Sequence, residues 1–222
     1  MTRARTEHRL RREVVEISNA LWERGWVANH DGNVSARASA GRIVATATGL
    51  SKRVIDSDKV IVVDESKRVV SGRLRVFSEI GLHLAVMGAR PDVVSVVHAH
   101  CPYATARGLT RQALPCFLPE SVVSLGREIP VVPLAMPGKD AEAELSRFVH
   151  DADVVMIEGN GVLAWGSDPE QAFLRLELCE HLCRIAHLAG CVSPLPDAML
   201  EPLLAKRRSA GLGKAGRADK AR

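Results

Sequence analysis

Aromatic side chains are scarce: they make up 4% of the 222 residues, with a single tyrosine. Any core must therefore be aliphatic, and the valine-rich runs point to buried strands. Long apolar runs are missing as well. No stretch reaches the ~18 residues a membrane-spanning helix needs, so no membrane partner is expected. The first residues are charged and lack an apolar h-region, so a secretory signal is not expected either. The five cysteines are an odd number and include no CxxC pair. Together these features point to the reducing cytoplasm. Internal repeats and domain-splitting linkers are absent. A basic body is absent too: residues 1–12 carry +4 and residues 206–222 carry +6, so the +4 of the whole chain leaves −6 on residues 13–205. A nucleic-acid-binding domain clusters Lys and Arg within its body, so no nucleic-acid partner is expected.

What is present has ordinary globular proportions, 46% hydrophobic and 25% charged. The length suits one domain with a real core. We place that domain at residues 1–205 and expect residues 206–222, rich in Gly, Ala, Lys and Arg, to be a disordered basic tail.

Residues 7–25 show apolar positions at helical spacing and stop at Gly25. A turn-rich loop follows, Asn29-His30-Asp31-Gly32-Asn33. Segments 43–47 and 60–63 read as strands. Residues 79–89 read as a helix with Ser78 as N-cap and Pro91 just beyond its end. The β-branched run 93–98 reads as a buried strand. Further on, a short helix is expected at 102–108, strands at 129–132, 154–157 and 162–165, and helices at 140–150 and 169–188. Helices and strands mix without a strict βαβ period. This predicts an α/β fold with a central mixed sheet flanked by helices.

The strongest chemical signal is His98-Ala99-His100 at a strand end. Residues i and i+2 of a strand share a face, so both imidazoles can reach one divalent ion. The alternative is two strand-end histidines that only form hydrogen bonds. Glu79, in the first turn of its helix, either answers the helix dipole or serves as metal ligand or general acid/base. His83, one turn on, reads as packing. Gly32–Ser35 and Thr46–Lys52 offer peptide N–H groups and hydroxyls that cradle an anion if the backbone curves around it, and are ordinary turns otherwise. Cys179, Cys183 and His187 fall at i, i+4 and i+8 of the long helix and read as core rather than ligands. Cys101 points to the strand face opposite His100.

Taken in order, these pieces resemble one family, the class II aldolases and adducins. Gly32-Asn33-Val34-Ser35-Ala36-Arg37 is similar to its GNVSxR loop, and Thr46–Lys52 to its second phosphate loop. Ser78-Glu79 with His83-Leu84-Ala85 is similar to its serine-glutamate helix. Val97–Ala106 resembles its metal-binding signature, and Gly161-Val162-Leu163 through Phe173 its C-terminal segment. The likeness spans roughly residues 8–190. It implies a three-layer α/β/α sandwich around a mostly antiparallel sheet, a homotetramer with sites near subunit interfaces, and a small-molecule substrate. It implies a divalent metal held by histidines, zinc first, with manganese or magnesium as alternatives. The metal would polarise a carbonyl and stabilise an enediolate during aldol cleavage of a sugar phosphate or similar hydroxy-ketone. Glu79 matches the acid/base. Gly32, Asn33, Thr48, Gly49 and Ser78 match the grip on the substrate phosphate.

Two positions depart from the pattern. Asn160 stands where the family's third metal-binding histidine sits. Either Asn160 ligates weakly, or Glu79, Glu158 or a partner-chain residue completes the shell, or the metal is lost. Phe77 stands where sugar-phosphate aldolases carry a second serine, which removes a hydroxyl from the phosphate grip. The same resemblance leaves epimerisation, decarboxylation, dehydration and a non-catalytic adducin-like role as alternatives to the lyase.

Overall fold

The alternation of valine, isoleucine and alanine with a second apolar set makes strands that are buried on both faces, and such strands need helices on each side. The computed structural model describes residues 6–39 and 41–213 and has this arrangement. In chain order the elements are α1 (Glu7–Glu23), β1 (Asn33–Ser39), β2 (Arg42–Thr46), β3 (Val60–Val63), β4 (Val69–Ser71), α2 (Ile80–Ala89) and β5 (Ser95–Ala99). They continue with α3 (Pro102–Gly108), β6 (Leu114–Pro115), α4 (Pro119–Leu125), β7 (Glu128–Ile129), β8 (Val131–Val132) and α5 (Lys139–Ser146). The last four are β9 (Val154–Ile157), β10 (Val162–Gly166), α6 (Pro169–Ala189) and α7 (Asp197–Ser209).

Eight strands form one sheet in the order β4-β3-β2-β1-β5-β10-β9-β8. Every neighbouring pair is antiparallel except β8 with β9. Strands β6 and β7 make a separate ribbon. The period of two along each strand sorts residues between the faces. Val44, Val60, Val62, Val97, Ala99, Val154, Met156, Val162 and Ala164 pack with α1, α3 and α6. Ile43, Ala45, Ile61, Val63, Val96, Val155, Leu163 and Trp165 pack with α2 and α5. The expected three layers and mostly antiparallel sheet are therefore present.

Four local expectations need revision. Gly32–Ser35, expected as a turn, leads into the strand Asn33–Ser39, because Val34 and Ala36 reach the α1 face of the core while Asn33 and Ser35 are buried on the other. The expected strand 129–132 is broken at Pro130 into β7 and β8, which lie in different sheets, since proline cannot donate to a ladder. Glu79, not Ser78, is the N-cap residue of α2, and its side chain makes no capping bond. Helix α7 carries the chain through Ser209, past the expected start of the tail at Lys206. The reason is Arg207, which is buried and ion-paired with Asp153. Residues 214–222 lie outside the described part.

Candidate active site

Strand pairing brings the candidate residues to one end of the sheet. On β5, His98 shares the α2 side with Val96, while Val97 and Ala99 face α1 and α6. Asn33 pairs with His98 from β1, and Leu163 pairs with His98 from β10. The turn holding Asn160 enters β10, so it lies beside His100. Two glycines make this crowding feasible. Gly32 has φ +73°, and a Cβ there would meet Val27 Cγ1 at 2.6 Å and the His98 carbonyl at 3.0 Å. Gly161 has φ +77°, and a Cβ would collide with the Ala99 carbonyl and come within 2.8 Å of His100 Cδ2. Only glycine takes such a backbone with such neighbours.

Glu79 stands over this row at the start of α2. Asn160 Nδ2 donates to its Oε1 at 2.6 Å, and Asn33 Nδ2 donates to its Oε2 at 3.0 Å. His98 Nε2 lies 3.4 Å from the same Oε2. The His98 Nδ1 bonds the Val162 carbonyl at 2.9 Å. A carbonyl only accepts, so Nδ1 carries the hydrogen and Nε2 of the neutral ring has a bare lone pair. That Nε2 is buried and has no hydrogen-bond partner. Burial lowers the His98 pKa, against the opposing pull of Glu79, and so favours the neutral ring. Burial alone would raise the Glu79 pKa, but the charge that His98 takes on at low pH, with the Asn160 and Asn33 amides, outweighs it and holds the carboxyl below its usual range. A bare lone pair and an ionised oxygen thus face each other, two acceptors that attract only through an intervening cation or proton.

His100 sits one residue past β5. Its ring centroid is 5.1 Å from that of His98, edge to face, and its Nδ1 is 3.5 Å from Asp31 Oδ2. A cleft of roughly 450 Å³ opens over these groups. Gly32, Asn33, Thr48, Ser78, Glu79, His100 and Asn160 all line it. Gly49 does not: it is exposed in its turn, with φ +72°. Among the described residues, the charged lining is Asp31, Glu79, Glu142 and Lys52, a formal charge of −2. Phe77 also lines the cleft, with its ring 5.0 Å from that of His83. His83 is fully buried behind the site and bonds Ser35 Oγ through Nδ1 at 2.7 Å. Burial, with a further push from His98, brings its pKa down to about 3, so it stays neutral. Cys179 and Cys183 are in the core, and His187 is exposed.

The donor set suits a divalent metal in part. His98 offers a desolvated lone pair with its tautomer fixed from behind, His100 lies alongside, and the acidic cleft favours a cation. Yet among the described residues no three His, Cys, Asp or Glu side chains converge on one point that a metal could occupy. The chain offers two imidazoles, and the Asn160 amide is turned to Glu79.

Sequence reasoning placed Asp31 in a turn and Lys52 at the end of a candidate anion loop, and gave neither side chain a role of its own. Asp31 reads as a turn former, and nothing in the sequence shows that the turn folds back against His100. Lys52 ends the Thr46–Lys52 loop, and its burial is not legible from a polar loop.

Residues 12–187 match the family described as Class II Aldolase and Adducin N-terminal domain. An L-fuculose phosphate aldolase from Methanococcus vannielii is 27% identical over 177 residues, covering 80% of this chain and 95% of that protein. A 3-oxo-tetronate 4-phosphate decarboxylase from Pectobacterium atrosepticum is 27% identical, covering 83% and 87%. A solved L-fuculose 1-phosphate aldolase superposes with a TM-score of 0.82 at 23% identity, over 93% of this chain and 99% of that one, a likeness of fold. No helix among the described residues is long and apolar enough to cross a membrane. A family match over most of the chain and a superposition over nearly all of it lead to one assignment: this protein belongs to the class II aldolase and adducin family.

Proposed function

We propose that this protein is a divalent-metal-dependent aldehyde-lyase that cleaves a small phosphorylated hydroxy-ketone. The observation that carries this reading is the ionised Glu79, on the wall of an acidic cleft, facing the bare Nε2 of buried His98 at 3.4 Å. His98 and His100 would hold the metal, zinc first, with manganese or magnesium suited to a shell short of one imidazole. When bound, a divalent ion supplies Lewis-acid polarisation of a carbonyl.

Glu79 then moves the proton. It receives the hydroxyl proton as the C–C bond breaks, and returns it to the carbon left with the bond's electron pair. Asn33 and Asn160 fix both carboxylate oxygens, which keeps the base ionised and aimed. Asn33, Thr48 and Ser78, which line the cleft, would orient the phosphate, and a homotetramer is the expected assembly. Epimerisation, decarboxylation and dehydration use the same stabilised carbanion. Decarboxylation and dehydration break a different bond to the carbon next to the carbonyl, and 4-epimerisation remakes the same C–C bond on the other face of the aldehyde.

The competing reading is an adducin-like binding domain without turnover. Its support is the Asn160 amide, which engages Glu79 where a third imidazole would face the metal. Metal analysis of protein purified without chelators or a histidine tag decides between them. Near-stoichiometric metal, lost in His98→Ala, with cleavage of a ketose phosphate, supports the lyase. A site that stays empty after zinc, manganese and magnesium are added sinks it.

A further inference from the structure

One cationic side chain, Lys52, stands among the charged groups of the cleft. Lys52 lines the cleft, yet its relative exposure is 2%. Ser51 caps the short turn Lys52–Val54 and sets the lysine at the end of the Thr46–Lys52 loop. An ammonium has three N–H donors. The Leu50 carbonyl takes one at 2.8 Å and the His30 carbonyl another at 3.3 Å. Among the described residues no acceptor takes the third. Burial drags the Lys52 pKa down to about 8, with Asp31 partly offsetting it. Two backbone carbonyls can be tied by any neutral N–H, and a buried ammonium is a costly way to do it. The charge itself therefore calls for a reason.

The surroundings supply one. The other charged groups of the cleft are Asp31, Glu79 and Glu142, all acidic. They oppose the entry of an anion, and Lys52 is the cleft's one cationic side chain among the described residues. Thr48, on the same loop, lines the cleft with it, and Phe77 stands on the wall with no hydroxyl to give. We propose that Lys52 is a specificity residue that donates its third N–H and its full charge to the substrate's phosphate, taking over from the hydroxyl missing at Phe77. This rests on the reading above only in requiring a phosphorylated substrate.

The test is binding of inorganic phosphate to the protein as purified, by calorimetry, compared with Lys52→Met and Lys52→Gln. Glutamine keeps N–H donors for the two carbonyls and removes the charge. A merely structural lysine would then leave phosphate affinity intact in the glutamine variant. The expected result is a loss of tenfold or more in both variants, with the melting temperature of Lys52→Gln near that of the wild type. Equal affinity in wild type and a folded variant overturns the role of Lys52 and leaves the lyase reading standing. Wild-type protein that does not bind phosphate removes the phosphorylated substrate and the role of Lys52 together. If neither variant folds, the wild-type chain decides. Lys52 is its one buried lysine among the described residues, so its slowly exchanging ammonium resonance should move when phosphate is added. A resonance that stays put while phosphate binds overturns the assignment.

Discussion

Two of the carboxylates drawn into this molecule, Asp153 and Glu79, are treated by the chain in opposite ways. The side chain of Asp153 is 0% exposed and meets three guanidinium groups, those of Arg90, Arg175 and Arg207. These arginines come from just after α2, from α6 and from α7, and each also donates to backbone carbonyls. Burial alone would raise the Asp153 pKa, but Arg175, Arg207 and Arg90 outweigh it and hold the group ionised. Glu79 meets two neutral amides and a neutral imidazole instead. Around it, His98 Nε2, Asn33 Oδ1 and His83 Nε2 are buried without partners. Where the chain supplies the counter-charge, the carboxylate is architecture that joins a distant helix to the sheet. Where it withholds the counter-charge, the group is kept for something that arrives from outside.

The largest expected effect separates these roles. Glu79→Gln should lower turnover by about 10²–10⁴-fold, the usual contribution of a positioned acid/base. It should also leave urea unfolding within about 1 kcal/mol of the wild type, because neutral amides can bond an amide as well as a carboxylate. Full turnover in that variant would remove Glu79 from the chemistry. Asp153→Ala should do the reverse. Three buried guanidinium groups would lose their anion, at a cost of about 3–5 kcal/mol in unfolding free energy. If Glu79→Gln proves as destabilising as Asp153→Ala, the contrast between the two carboxylates is void.

The same contrast explains what the sequence made legible. The strands at 60–63 and 154–157 and the helix at 102–108 fall where periodicity put them, because local pattern and burial agree there. Residues 32–35 misled because Gly-Asn and serine read as a turn, while Asn33 and Ser35 are buried on the α2 side of the sheet around the site. Helix α7 escaped because Pro202 sits inside it and only Leu200 of its apolar side chains is buried. Its docking rests on Arg207 reaching Asp153, which is 54 residues away in sequence. The same distance problem hid Asp31 from His100. Glu79, His98, His100 and Asn160 were legible as a set through their order along the chain. Periodicity alone showed only a histidine pair and a glutamate near a helix start.

A smaller change should convert one environment toward the other. Asn160→His would add an imidazole where an amide now donates to Glu79, so the chain would supply more of the metal's shell itself. Zinc affinity should rise by about tenfold or more, the scale seen when the immediate surroundings of a metal site are altered. Competition with a chelator of known strength measures it. Unchanged affinity would mean that residue 160 serves Glu79 alone and that the two imidazoles define the whole protein contribution.

The smallest effect concerns Lys52, a buried charge of a third kind, tied to carbonyls and lacking an ion-pair partner within bonding distance among the described residues. Its pKa in the folded chain is about 8, against an ordinary value of 10.5. Below pH 8 the lysine is charged in both states and the full cost of burying it is present. Between pH 8 and 10.5 the unfolded chain keeps a proton that the folded chain has released, so stability rises with pH across that window. Other titrating groups are common to wild type and Lys52→Met and largely cancel in their difference. The stability of the wild type relative to Lys52→Met should therefore climb between pH 8 and 10, measured by chemical unfolding. A flat difference would show that the folded chain already compensates this ammonium as fully as it compensates Asp153. The cleft would then have no unspent positive charge to offer a phosphate.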